Sequence, residues 1–169
     1  MSRTRTTLTL ATVAATATVF FVPLGATAAN AAESARTTTC QLPPKGTEAN
    51  ATAERLVTKF FHLIEAKDRS GMSAFLTKGW MAQTSDGTGR DRQLFLDTLP
   101  NVQSFSIDKV NARRDGFLLV SRYLSKVQGD INGKPYSSEF APRLATFSFC
   151  SGKWKMVSQG NFDPVIAGR

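Results

Sequence analysis

Apolar residues recur at helical spacing through "TAERLVTKFFHLIEAKDRSGM", where Leu56, Phe60, Leu63 and Ile64 mark one face and Val57 and Phe61 widen it. A helix is predicted from about Thr52, which forms half a capping box with Arg55 three residues on. The same period turns Thr58, His62, Glu65 and Arg69 to the other side, so His62 reads as a solvated surface residue. A shorter helix follows from Ser70 to Leu76, broken by Gly79; "WMAQT" is extended, and Ser85-Asp86-Gly87 closes it with a turn. "GRDRQLFLDTLP" predicts a third helix with Leu94, Phe95 and Leu99 inward, stopped by Pro100.

From Val102 the period changes from helix to strand. "VQSFSIDKV" alternates, Arg114-Asp115-Gly116 turns it, and "FLLVSRYLSKVQ" returns. Asn132-Gly133 signals a hairpin, and "RLATFSFC" with "KWKMVSQGNF" make a last one around Ser151-Gly152. Helices first and a strand meander after predict an α+β domain, its helices packed on one face of a curved antiparallel sheet.

The N-terminal segment has its own pattern. Basic Arg3 and Arg5 precede an apolar run from Leu8 to Leu24, then small residues through Ala28-Ala29-Asn30-Ala31, the order of a secretory signal peptide. A single membrane anchor is the competing reading, but Thr interrupts the run and no basic stop-transfer run follows. The expected organisation is a signal peptide over 1–31, an extended Thr- and Pro-containing arm over 32–50, one domain over 51–164 and a tail over 165–169. Removing 31 of the 169 residues leaves 138, enough for one core and too few for two. The mature chain is expected to be secreted, with no membrane attachment after cleavage.

Composition narrows the function classes. Without Arg3 and Arg5, 19 basic and 13 acidic residues leave a net +6, yet no block of like charge forms. Dispersed cations suit a solubilising surface or weak attraction to anionic envelope polymers, and no motif accompanies them that would make nucleic acid a partner. Two cysteines, Cys40 and Cys150, remain in an exported chain, so a disulfide is the simplest expectation. Two free thiols are the alternative. A metal site is not expected, since His62 is the single histidine and no C-x-x-C occurs, and nothing calls for a cofactor.

The helix ending "EAKDRSGMSAFL", the stretch "DGTGRDRQLFLDTLP" and the closing "GKWKMVSQGNF" resemble the nuclear transport factor 2-like superfamily over about 51–164. That superfamily includes SnoaL-like polyketide cyclases, ketosteroid isomerase and many small domains of unknown function. The resemblance implies a conical cavity between sheet and helices, and a sheet face that commonly carries a partner surface, here a homodimer contact. The twelve phenylalanines either line such a cone or fill it, and both readings are open.

For chemistry, the resemblance places Phe60 where ketosteroid isomerase has its Tyr and Thr84 where it has its base, and both functions are lost. Gln159 stands where relatives often carry His, and Gln does not transfer protons near neutral pH. Arg90-Asp91-Arg92 is explained as a helix start with its acid at the N-terminus. No catalytic residue is therefore assigned. The candidate ligand contacts are Phe60, Trp80, Thr84, Tyr123, Gln159 and Asn161, for a small hydrophobic or polar ligand. The leading expectation is a non-catalytic binding or interaction domain. The alternatives are a SnoaL-like enzyme using Asp86 or Asp91 with Tyr123, and a structural dimer.

Overall fold

The computed structural model describes residues 40, 42–46, 48–131, 133–135 and 139–162. The expected signal peptide, most of the arm and the C-terminal tail lie outside the described residues. Helix α1 spans Ala49–Glu65 and buries Leu56, Val57, Phe60, Phe61 and Ile64, the face set by the apolar period, while His62 stays exposed beside Glu65. It begins three residues before the expected start: Glu48 is the N-cap and makes no side-chain cap bond, and Thr52 is buried inside the helix rather than capping it. Asn50 Oδ1 instead accepts the Ala112 amide at 2.8 Å, tying the first turn to a strand of the sheet.

Helix α2 (Arg69–Phe75) follows after a tight link in which Lys67 has φ 52°. Asp68 caps it by accepting the Gly71 amide at 2.8 Å, and Gly71 is needed there because a Cβ would strike the Asp68 carboxylate and Leu63. Strand β1 (Leu76–Gln83) runs directly from α2, and β2 (Gly89–Asp91) folds back on it, so the first three residues of the segment expected as the third helix are strand. Helix α3 (Arg92–Asp97) is short and buries Phe95 and Leu96. Leu94, expected inward, is 47% exposed, because the helix starts at Arg92 and its single inward side falls one residue later.

The remaining strands are β3 (Asn101–Asp115), β4 (Leu118–Ile131), β5 (Lys134–Pro135), β6 (Ala141–Cys150) and β7 (Lys153–Asn161). The path through the sheet is β2-β1-β7-β6-β4-β3, with β5 on β4. The expectation of a wholly antiparallel sheet needs one correction: β1 pairs with β7 in parallel, Ala82 opposite Gln159, whereas every other pairing among the described strands is antiparallel. The meander from β3 to β7 alternates direction by its hairpins, and β1, which precedes α3, joins its far side pointing the same way as β7. Register shifts in the β1–β7, β3–β4 and β6–β7 ladders interrupt them; such bulges bend strands, and the sheet is curved and unclosed around the helices.

Two features close the fold. Ser151 and Gly152, with φ 52° and 74°, make the tight β6–β7 turn. Cys40 and Cys150 are joined by a disulfide that ties the arm to the end of β6, as the cysteine count anticipated. No helix among the described residues is long and apolar enough to cross a membrane.

Candidate functional site

Cross-strand register builds the site. Residues opposite one another on neighbouring strands share a face. One row therefore runs Ser121, Ala145, Gln159, Ala82, Arg90 across β4, β6, β7, β1 and β2. The next runs Tyr123, Arg143, Asn161. On β6 the alternation that buries Ala145 and Phe147 also buries Arg143, which is 9% exposed.

Between these rows and the helices lies an interior cavity of about 40 Å³. By the same measure one water needs roughly 10–15 Å³, so the space takes about three waters or a ligand of a few non-hydrogen atoms. The aromatics thus occupy most of the cone and leave a small pocket rather than a wide one. Phe60, Phe61, Ile64, Trp80, Phe95 and Val127 form its apolar wall. Phe60 stacks on Phe95 at 5.8 Å between ring centroids, and Trp80 tilts against Phe95 at 4.7 Å, which holds the wall rigid.

The polar part is Thr84, Arg90, Arg143, Gln159 and Asn161. The Thr84 hydroxyl donates into the β1–β2 turn, with Asp86 Oδ1 and the Thr88 carbonyl in reach. Gln159 Nε2 donates to Asn161 Oδ1 at 3.0 Å, while Gln159 Oε1 is buried without a hydrogen-bond partner. Trp80 Nε1 is likewise buried and unpartnered. Arg143 donates to the Pro142 and Phe162 carbonyls, each at 3.2 Å, and half-buried Arg90 donates to Thr98 Oγ1 at 3.2 Å. No carboxylate or imidazole is among the described lining residues.

Five of the six expected contacts, Phe60, Trp80, Thr84, Gln159 and Asn161, come together in this cavity. Tyr123 does not. It is buried beside a separate surface groove with Arg122, Pro142 and Arg143, its hydroxyl unpartnered. Burial pushes its phenol well above the usual tyrosine range, only partly opposed by the Arg143 charge, so it stays protonated. Asp86 and Asp91 are exposed: Asp86 accepts the Thr88 amide in the turn, and Asp91 caps α3 by accepting the Leu94 amide at 2.8 Å. Neither lines the cavity, so the three groups an acid/base enzyme would use are not assembled there. Among the described residues no cluster of His, Cys, Asp or Glu could hold a metal. Sequence reasoning missed Arg90 and Arg143; the period-2 pattern that buries Phe147 was the signal for the second.

Comparison with solved structures settles the architecture. An NTF2-like protein from Cytophaga hutchinsonii superposes with a TM-score of 0.64 at 10% identity, covering 69% of this chain and 99% of the other. An NTF2-like protein of unknown function in nutrient uptake from Rhodospirillum rubrum gives 0.60 at 15%, with 70% and 100% covered. The chain has the nuclear transport factor 2-like fold. A further NTF2-like protein of unknown function, from Pseudomonas putida, gives 0.53 at 12%, with 71% and 89% covered. No family model and no curated protein matches the sequence. At these identities the nuclear transport factor 2-like likeness speaks for the fold alone.

Proposed function

We propose that this chain is an exported, non-catalytic binding domain whose interior cavity takes a small ligand. The observation that carries the reading is a cavity whose residues include two buried, unpartnered polar atoms, Trp80 Nε1 and Gln159 Oε1, within an otherwise apolar wall. A buried polar group without a partner costs about 1–3 kcal/mol, which a ligand or water supplying the missing bond recovers. An apolar pocket with a few placed polar groups is the usual form of a small-molecule site. The lining supplies hydrogen bonds and positive charge but no proton-transfer group among the described residues, which supports binding over turnover. The Cys40–Cys150 disulfide supports an oxidising compartment.

The test uses Trp80 as its own reporter. The chain has two tryptophans, so Trp154→Phe leaves Trp80 as the sole indole. Titration with compounds of up to about six non-hydrogen atoms should give saturable fluorescence changes together with a raised melting temperature. A panel that moves neither signal at millimolar concentration defeats the reading.

A second copy of the chain is a further partner we propose, favoured by the outer sheet face. There Leu118, Val120 and Leu144 are 37%, 41% and 41% exposed on β4 and β6. Sedimentation velocity should show a dimer that Val120→Glu disperses; a monomer at all concentrations would remove this partner.

A further inference from the structure

The structure assigns the cavity a ligand class: we infer a compact organic carboxylate, its head at Arg90 and its short apolar part against Trp80 and Phe95. This rests on the binding reading above and narrows it.

Charge is the first ground. The described lining holds two guanidiniums, Arg90 and Arg143, and no carboxylate. Arg90 is half-buried, its neutral acceptor is Thr98 Oγ1, and no described carboxylate lies within ion-pair distance of it. A partly dehydrated guanidinium has five N–H donors and prefers a planar anion that accepts two of them.

Shape is the second. The register puts Ala82 directly between Gln159 on β7 and Arg90 on β2, so one short side chain separates two long polar ones. All three line the cavity, so its wall carries a guanidinium and an amide on either side of a methyl group. The third ground is hydrogen bonding. Trp80 offers a buried indole N–H with no acceptor, and a carboxylate has oxygens enough to meet both it and the guanidinium. A neutral alcohol or amide could meet the indole but leaves the cation uncompensated, and an ammonium would face like charge. The volume sets the size at about three to five non-hydrogen atoms.

The experiment titrates the Trp154→Phe protein at constant ionic strength with four probes of similar size: sodium propanoate, its isostere propanamide, propan-1-ol and propylammonium chloride. Propanoate should bind at least tenfold more tightly than propanamide, with propylammonium weakest of the four. In Arg90→Gln the propanoate affinity should fall to the propanamide level while propanamide itself changes less than threefold. Propanamide or propan-1-ol matching propanoate would overturn the carboxylate class and leave the binding domain standing, whereas no binding by any probe would overturn both. An Arg90→Gln protein that keeps the tenfold preference would overturn the assignment of Arg90. Should that variant lose its far-UV spectrum, the ranking of the four probes on the unaltered cavity still decides.

Discussion

Removing the disulfide, by replacing Cys40 and Cys150 with Ser together, probes how the arm is tied to the sheet. The bond closes a loop across a separation of 110 residues. The loop-closure relation gives about 16 cal/mol/K of unfolded-state entropy for such a loop, or about 4.8 kcal/mol at 25 °C. That is an upper value, because the folded variant regains freedom too. Of the described arm residues Pro43 is buried and Leu42 is 70% exposed, so without the bond the arm before α1 is weakly held. Each residue it releases regains on the order of 1 kcal/mol of backbone entropy, less the contacts it gives up. The net loss should therefore be about 2–4 kcal/mol. Urea unfolding followed by far-UV circular dichroism reads it as a lower midpoint, and the unaltered protein in reductant should unfold with the variant. A loss under about 1 kcal/mol, or a reduced protein that unfolds with the oxidised one, would refute the argument that the bond acts by restraining the unfolded chain.

Four further outcomes are expected. Gly129 has φ 143°, and a Cβ there would fall on the Asn101 backbone, so Gly129→Ala should lose more than about 2 kcal/mol in urea titration; a loss under 0.5 would contradict the close approach. The Asp130 carboxylate is held below its ordinary range chiefly by the Asn101 side-chain bond and then by the Gly133 amide, so its stabilisation is present above about pH 4 and lost as pH falls through the lowered value. Asp130→Asn should flatten the stability curve below pH 4, and parallel curves would dismiss the role. A 5-ene-3-oxo steroid should isomerise at the uncatalysed rate, since Phe60 offers no oxyanion donor and Thr84 no base; turnover abolished by changing Asp86 or Asp91 would reverse that. Intact mass of protein from culture supernatant should place the N-terminus near Ala32, and retention of residues 1–31 would restore the anchor.

Much of this was legible in the chain, and the exceptions have physical causes. The long apolar period of α1 and the alternation of β3, β4, β6 and β7 are strong signals because a whole buried face repeats. The strand β2 and helix α3 were merged into one helix because Gly89–Asp91 is too short to show a period, and the bend between them is made by Asp91 acting as a cap. Tyr123 misled because strand parity gives a face but not which end of a row reaches the cavity: Arg143 and Asn161 of its row line it, whereas Tyr123 abuts the separate groove. Arg90 escaped because a cation beside an Asp and a second Arg reads as a solvated helix start. Only the pairing of β2 with β1, and of β1 with β7, carries it over the cavity.

The parallel pairing of β1 with β7 also decides when the domain can be completed. β1 has two strand partners, β2 beside it in sequence and β7 some seventy residues later, so during synthesis the segment from Leu76 to Asp91 has no strand pairing beyond its own hairpin until Lys153–Asn161 has emerged. An isolated two-stranded hairpin is marginal in water. Pairing so distant in sequence slows folding, because loop-closure entropy is met before the contact is gained. The last strand of the path to be synthesised is thus the one that locks the first.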